Sequence, residues 1–281
     1  MARILILDGY TREARDVLEE GGASIAGQLY EKMLRSCASF DIDASICFPS
    51  DPDCEIPTGE VLGAFDAVTW TGCSLSLVGE SLIVSRQVAI AREVFELGIP
   101  SFGSCWAAQI GIAAAGGVVE KNPKGREMGV GRKIELSEAG RAHPMYEGKD
   151  RVFDAYASHD DHITHLPEGT VSLAGNLWSE VQAVDISCAK GSFWAVQYHP
   201  EYDLHEMARL MFCRTEKLIR LGFFRDEADA VRLIDDFETL FEDPSREDIA
   251  WRLGLDRDIL DEDYRTLEAR NWLKHAVAPR L

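Results

Sequence analysis

Four short apolar runs punctuate the first 110 residues: Ile4–Leu7, Ala44–Phe48, Phe65–Trp70 and the run that opens at Ile99. Each is too short for a helix and rich in the residue types that favour buried strands. Between them the pattern turns helical. Ile25, Leu29, Met33 and Cys37 recur every four residues behind Ser24, a residue suited to capping a helix start. Ser81–Leu97 directs Leu82, Val84, Val88, Ala91, Val94 and Phe95 to one side. Thr11–Gly22 is acidic and closed by two glycines, and reads as a loop or a surface helix. A βαβαβαβ order predicts an α/β fold with a mostly parallel sheet flanked by helices. Such sheets hold ligands at the carboxyl ends of their strands, here the loops of Asp8, Gly72 and Cys105.

The last of these loops carries chemistry. Ile99-Pro-Ser-Phe-Gly-Ser-Cys-Trp-Ala-Ala-Gln109 reads as strand, tight turn and Ala-rich helix. A side chain on that turn is lifted clear of the sheet, as in a nucleophile elbow. The free N–H groups and positive end of the following helix favour thiolate over thiol at Cys105, and thiolate is the nucleophile. Burial as a structural cysteine is the ordinary alternative.

Beyond Gly116-Gly117 the chain changes to short strand-like runs: Val130–Leu136, Val171–Ala174, Val181–Ile186 and Phe193–Tyr198. Among them lies the polar stretch Ala157-Ser-His-Asp-Asp-His-Ile-Thr-His165, and the last run leads into Val196-Gln-Tyr-His-Pro-Glu201. A thiolate nucleophile needs a base and a group that orients the base. His199-Pro200-Glu201 offers both within three residues. His205–Leu221 has helical periodicity and is expected to pack back on the sheet.

The pair GSCWAAQ and VQYHPE resembles the class I (triad, Cys-His-Glu) glutamine amidotransferases, over roughly residues 1–222. The resemblance implies a flavodoxin-like sheet, with Cys105 as nucleophile, His199 as general acid and base, and Glu201 as its orienting carboxylate. It implies an oxyanion hole from the backbone N–H groups of Gly72 or Cys73 and of Trp106. It places Gln109, Ser158, His159 and the adjoining Asp160 at the substrate, with the Ser158-His159 backbone on the α-carboxylate. The implied reaction cleaves a γ-glutamyl amide through a thioester, without metal or organic cofactor. Two departures touch the pocket: Ala107 replaces a glycine of the family motif, and Thr71-Gly72-Cys73-Ser74 replaces a Gly-Gly-Pro turn. Both are expected to alter the pocket wall. The His- and Asp-rich stretch 157–165 could supply metal ligands, but it overlaps the family's substrate loop, and no metal is expected there.

The net charge of −19 argues against nucleic acid and anionic membranes as partners. MARILILDGY reads as a first strand rather than a signal peptide, and seven cysteines without CxxC spacing suit a cytoplasmic protein with reduced thiols. Residues 223–281 read as an acidic helical extension, with 16 acidic and 9 basic residues. Its expected helices are Ala228–Phe241, Arg246–Leu255 behind a capping box at Ser245, and Asp261–Lys274. Trp251, Leu255, Leu267 and Trp272 are set to form a small core or to dock on the main domain. Docking, dimerisation and a lid over the site all stay open for it. So do three readings of the whole: a free-standing γ-glutamyl amide hydrolase, a glutaminase subunit feeding ammonia to a separate synthase, and a non-catalytic regulatory module.

Overall fold

The computed structural model describes all residues, Met1–Leu281. Eleven strands form: β1 (Ala2–Leu7), β2 (Ile42–Cys47), β3 (Ala67–Trp70), β4 (Ser101–Ser104), β5 (Val118–Lys121), β6 (Glu127–Leu136), β7 (Val152–His159), β8 (Asp161–His165), β9 (Thr170–Gly175), β10 (Ala183–Cys188) and β11 (Gly191–Val196). Nine of them make one sheet in the order β2-β1-β3-β4-β11-β10-β9-β6-β7, and β5 pairs with β8 apart from it. From β2 to β11 neighbours are parallel; from β11 to β7 they are antiparallel. The consequence for chemistry lies in the middle. β4 is flanked by β3 and β11, with Gly103 opposite Trp70 and Ser104 opposite Val196. The chain leaving β3 at Gly72, β4 at Cys105 and β11 toward His199 therefore emerges at one edge.

Both faces of the parallel part are covered at its centre, so β3 and β4 are buried along their whole length, whereas the edge strand β2 alternates. Ile4 and Ile6 enter one core with Phe102 and Tyr30, while Leu5 and Leu7 enter the other with Trp70 and Trp106. The segment 11–22 contains the helix Arg12–Glu20, capped by the Thr11 hydroxyl. Three sequence expectations are corrected by the structure. Ser24 does not cap the next helix, which runs Ala26–Cys37. Its N–H is bound by Glu206, and the free Gly27 N–H is taken at 2.8 Å by Asp8, which reaches over from the end of β1. Leu82 is 90% exposed, because the helix Leu82–Leu97 starts beyond the edge of the core. Ser245 turns its hydroxyl back to Asp243, so the helix Glu247–Leu253 begins without a side-chain cap.

The stretch 157–165 is the corner between β7 and β8, and the helical segment after His199 is two helices, Leu204–Cys213 and Thr215–Arg220, broken at Arg214. Residues 223–281 build no core of their own. Phe237, Leu240, Ile249 and Leu255 join Tyr10, Tyr156 and Met207 in a third cluster. Ala269, Trp272, Leu273 and Val277 enter the core of the Ile4 face, where Trp272 stacks on Phe102 at 5.6 Å. Trp251, expected in a small core or docked on the main domain, is instead 86% exposed on the outer side of its helix.

Candidate active site

Cys105 sits between β4 and the helix Trp106–Ala114 at φ 53° and ψ −97°. A positive φ is strained for a residue with a Cβ and persists only where the surroundings enforce it. Here the Cys105 N–H is held at 2.7 Å by the Val196 carbonyl of the neighbouring strand. Gly103 makes the turn possible. A Cβ there would lie 2.3 Å from the Ala107 Cβ and 2.5 Å from the Trp70 carbonyl oxygen. This contact also corrects one expectation. The Ala107 methyl is fully buried under the elbow and is no part of the cleft wall, whereas Cys73 and Ser74 of the departing turn do line the cleft.

His199 follows β11, with its N–H bound to the Tyr156 carbonyl at 2.8 Å. Its Nδ1 meets Glu201 Oε1 at 2.8 Å, so Pro200 does bring the carboxylate back to the ring. That oxygen also accepts from Ser104 Oγ at 2.8 Å, and Ser104 in turn accepts from the Tyr30 hydroxyl at 2.6 Å. The Tyr202 ring stacks on the imidazole at 4.0 Å, closing its other face. Nε2 is left with no partner in the protein, and Cys105 lies beside it. Burial works against protonation of this imidazole. The Glu201 charge and the Cys105 sulfur outweigh it and raise the His199 pKa to about 9. The imidazolium is then the form present at neutral pH and is lost as pH rises through about 9. We expect kcat/KM to hold up to that region and to fall above it. An alkaline limb near the ordinary histidine value, in a pH–rate profile, would contradict the Glu201–His199 coupling.

Gly72 lies against both side chains. A methyl there would stand 2.6 Å from His199 Cε1 and 3.4 Å from Cys105 Cβ. Gly72→Ala should therefore push the ring off its position and lower kcat by roughly 100-fold, with the far-ultraviolet circular dichroism unchanged. The N–H groups of Gly72, Cys73 and Trp106 make no hydrogen bond within the protein and are free for an oxyanion. The Trp106 ring is pinned by a chain from Nε1 to Gln87 (2.8 Å), Ser50 (2.8 Å) and the Gly9 carbonyl (2.6 Å).

The cleft over Cys105 has a volume of about 240 Å³, suited to a small metabolite. Gln109, Ser158, His159 and Asp160 all border it, as their sequence position suggests. Gln109 Nε2 faces Gln197 Oε1 (3.3 Å) and the Asp161 carbonyl (3.4 Å). His159 turns both ring nitrogens inward, to Glu127 Oε2 (2.9 Å) and the Asp161 carbonyl (3.0 Å). Glu127 is held below the usual carboxylate range: burial opposes this, but hydrogen bonds from His159, Asn176 and Gln182 prevail.

Sequence reasoning missed the cations of the site. Arg126, on the approach to β6, donates to Asp160 (2.6 Å) and to the Ser158 hydroxyl (2.8 Å). Arg214 donates to the same hydroxyl (2.8 Å) and to the Tyr10 hydroxyl (3.2 Å). Lys217 reaches Asp160 at 3.0 Å. One signal was available. On a single helix, Arg214 would share a face with Met207, Met211 and Leu218, and an arginine on an apolar face is rarely without purpose.

Residues 78–216 match the glutamine amidotransferase class-I family. The γ-glutamyl-L-1-hydroxyisopropylamide hydrolase of a Pseudomonas species is 31% identical over 99% of this chain and 94% of its own length. The glutamine-hydrolysing GMP synthase subunit of Methanoculleus marisnigri is 27% identical over 66% of this chain and 90% of its own. A glutamine amidotransferase from Thermotoga maritima has a similar fold, with a TM-score of 0.65 at 15% identity, covering 96% of this chain and 97% of the other. No helix of the present chain is long and apolar enough to cross a membrane.

Proposed function

The chain belongs to the class I glutamine amidotransferase family, and from that premise we propose that it hydrolyses γ-glutamyl amides with Cys105, His199 and Glu201 as its triad. The observation that carries the assignment is the buried 2.8 Å contact between His199 Nδ1 and Glu201, in the turn that follows β11, the strand paired with β4 below the Cys105 elbow. Cys105 Sγ attacks the γ-carbonyl, and the oxyanion lies on the N–H of Gly72 or Cys73 and that of Trp106. His199 gives a proton to the leaving nitrogen, and the amine departs. His199 then takes a proton from water, which opens the thioester and releases a γ-carboxylate. Glu201 keeps the imidazole in one orientation and stabilises its charged form.

A free-standing hydrolase is favoured over an ammonia-supplying subunit by the pattern of similarity. A relative 31% identical over 99% of this chain, residues of the C-terminal extension included, is named a hydrolase. The GMP synthase subunit matches about two thirds of it. The test is amine or ammonium release from glutamine, γ-glutamyl alkylamides and γ-glutamyl peptides by the purified protein alone. Turnover of γ-glutamyl alkylamides supports the proposal. Glutamine turnover that arises only with a co-purified protein would transfer support to a synthase partner.

A further inference from the structure

Residues 223–281 help to close a second cavity, which shares no lining residue with the Cys105 cleft. It has a volume of about 280 Å³, and Leu204, Leu240 and Ile259 form its apolar wall. Arg265, at the end of the helix Glu262–Arg265, borders it and is 8% exposed. Two other arginines of the chain are buried as deeply, and each holds a carboxylate. Arg15 meets Asp51 at 2.7 Å, and Arg126 meets Asp160 at 2.6 Å. Arg265 has no such partner. Its Nη1 donates to the Ile259 carbonyl at 2.8 Å, its Nε is buried and unpartnered, and its Nη2 makes no hydrogen bond within the protein. The guanidinium lies over the Tyr156 ring at 5.9 Å, and the Tyr156 hydroxyl is buried and unpartnered as well. A buried charge without a counter-ion is unfavourable, and a chain with 48 acidic residues has the means to supply one. Two acids border this cavity, yet neither closes on the arginine. Asp203 instead caps the helix Leu204–Cys213, through the Glu206 N–H at 2.8 Å, and Glu262 stays exposed.

The edge of Arg265 left free, Nε with Nη2, offers two N–H groups of the kind that grip a carboxylate at two points. Lys32 adds a second positive charge at the exposed rim, against the negative charges of Asp203 and Glu262. The cavity thus carries both signs of charge equally beside an apolar wall. A simple anion would meet the two carboxylates, and a hydrocarbon would leave Arg265 unpaired. A zwitterion with an apolar body satisfies all three features. We infer that this cavity binds a free α-amino acid with a branched apolar side chain. Its carboxylate lies on Arg265, its ammonium toward Asp203 and Glu262, and its side chain on Leu204, Leu240 and Ile259. A molecule the size of leucine suits the volume. The site is independent of the γ-glutamyl amidase reading and gives the extension a task beyond packing. It also abuts the triad turn. Asp203 stands two residues after Glu201, and Tyr202 between them stacks on the His199 ring at 4.0 Å.

Isothermal titration of the full chain with L-leucine should give saturable binding at one site with a Kd of about 0.1–1 mM. Leucinamide, which lacks the carboxylate, should bind at least about 20-fold more weakly, and 4-methylpentanoate, which lacks the ammonium, about 5-fold more weakly. Arg265→Gln should weaken leucine binding by about 20-fold. Without leucine it should unfold no more readily than the wild type, because it removes an unpaired buried charge. Lys32→Glu, at an exposed position, should weaken binding by about 5-fold and carries the test if Arg265→Gln does not fold. Absence of saturable leucine binding would overturn the inference. So would leucinamide or 4-methylpentanoate that binds as tightly as leucine. Leucine binding left unchanged by both substitutions would place the amino acid elsewhere, in the Cys105 cleft for example, and overturn it too. None of these measurements involves turnover, so each leaves the amidase reading untouched.

Discussion

Cys105→Ala should reduce kcat for γ-glutamyl amide hydrolysis by at least about ten-thousand-fold. The sulfur forms the bond on which the reaction depends, and no other side chain of the cleft is placed to replace it. Cys73 also borders the cleft, but burial drives its thiol well above the ordinary value, so it is no thiolate at neutral pH. Fold and stability should be nearly unchanged, because alanine fills most of the same space and the elbow is held by backbone, through the Cys105 N–H and the Val196 carbonyl. His199→Gln should cost a similar factor. The double variant should be little worse than either single one, since triad members act as a unit. Rapid-quench detection of a thioester in the wild type and its absence in Cys105→Ala would complete the case. Turnover by the variant within about 10-fold of wild type would reduce the elbow to a structural turn.

The second large effect concerns stability. Glu268 is fully buried and accepts from the Tyr198 hydroxyl at 2.6 Å and from Lys149 Nζ at 3.1 Å. Tyr146 extends the network to Tyr198 at 2.8 Å. Nearby, Asn271 donates to the carbonyls of Met145 and Glu147, both at 2.9 Å. These contacts fasten the C-terminal segment to the residue just before His199. Glu268→Gln keeps the shape but leaves the Lys149 ammonium buried and unpaired, at a cost of about 3–5 kcal/mol. The midpoint of thermal unfolding should fall by roughly 6–15 °C. Glu268→Gln combined with Lys149→Met removes both charges and should recover most of the loss. A double variant as unstable as the single one would show that shape, not charge pairing, sets the cost.

This attachment decides one of the options that the extension left open. Residues 266–277 are built into the main core through Trp272, so this part of the segment is no detachable lid. Docking of Trp272 on the main domain is one of the two outcomes that the sequence leaves open, a small separate core being the other. Trp251 and Trp272 look equivalent along the chain, yet one is 86% exposed and the other fully buried. Only the packing of the two helices tells them apart. The helix starts show the same limit. Ser81 and Thr11 cap their own helices because the capping oxygen is local. Ser24 fails because Asp8 and Glu206, distant in sequence, compete for the same N–H groups and win.

What the amino-acid sequence determined by itself was whatever depends on neighbours along the chain. The apolar runs set the parallel strands, Gly103 and the small residues after it allowed the strained turn at Cys105, and the single proline between His199 and Glu201 brought a carboxylate back to its imidazole. The tertiary structure alone decided what depends on distant parts meeting. It laid β11 beside β4, so that His199 and Cys105 leave the sheet at one edge. It put the Ala107 methyl beneath the elbow instead of in the cleft, and it drew Tyr10, Arg126, Ser158 and Arg214 from four separate segments into one cationic wall. Helical periodicity marks Arg214 as an arginine on an apolar face, but it does not tell which distant groups it will meet. An arginine shows its partner, or the lack of one, only when the chain has closed around it.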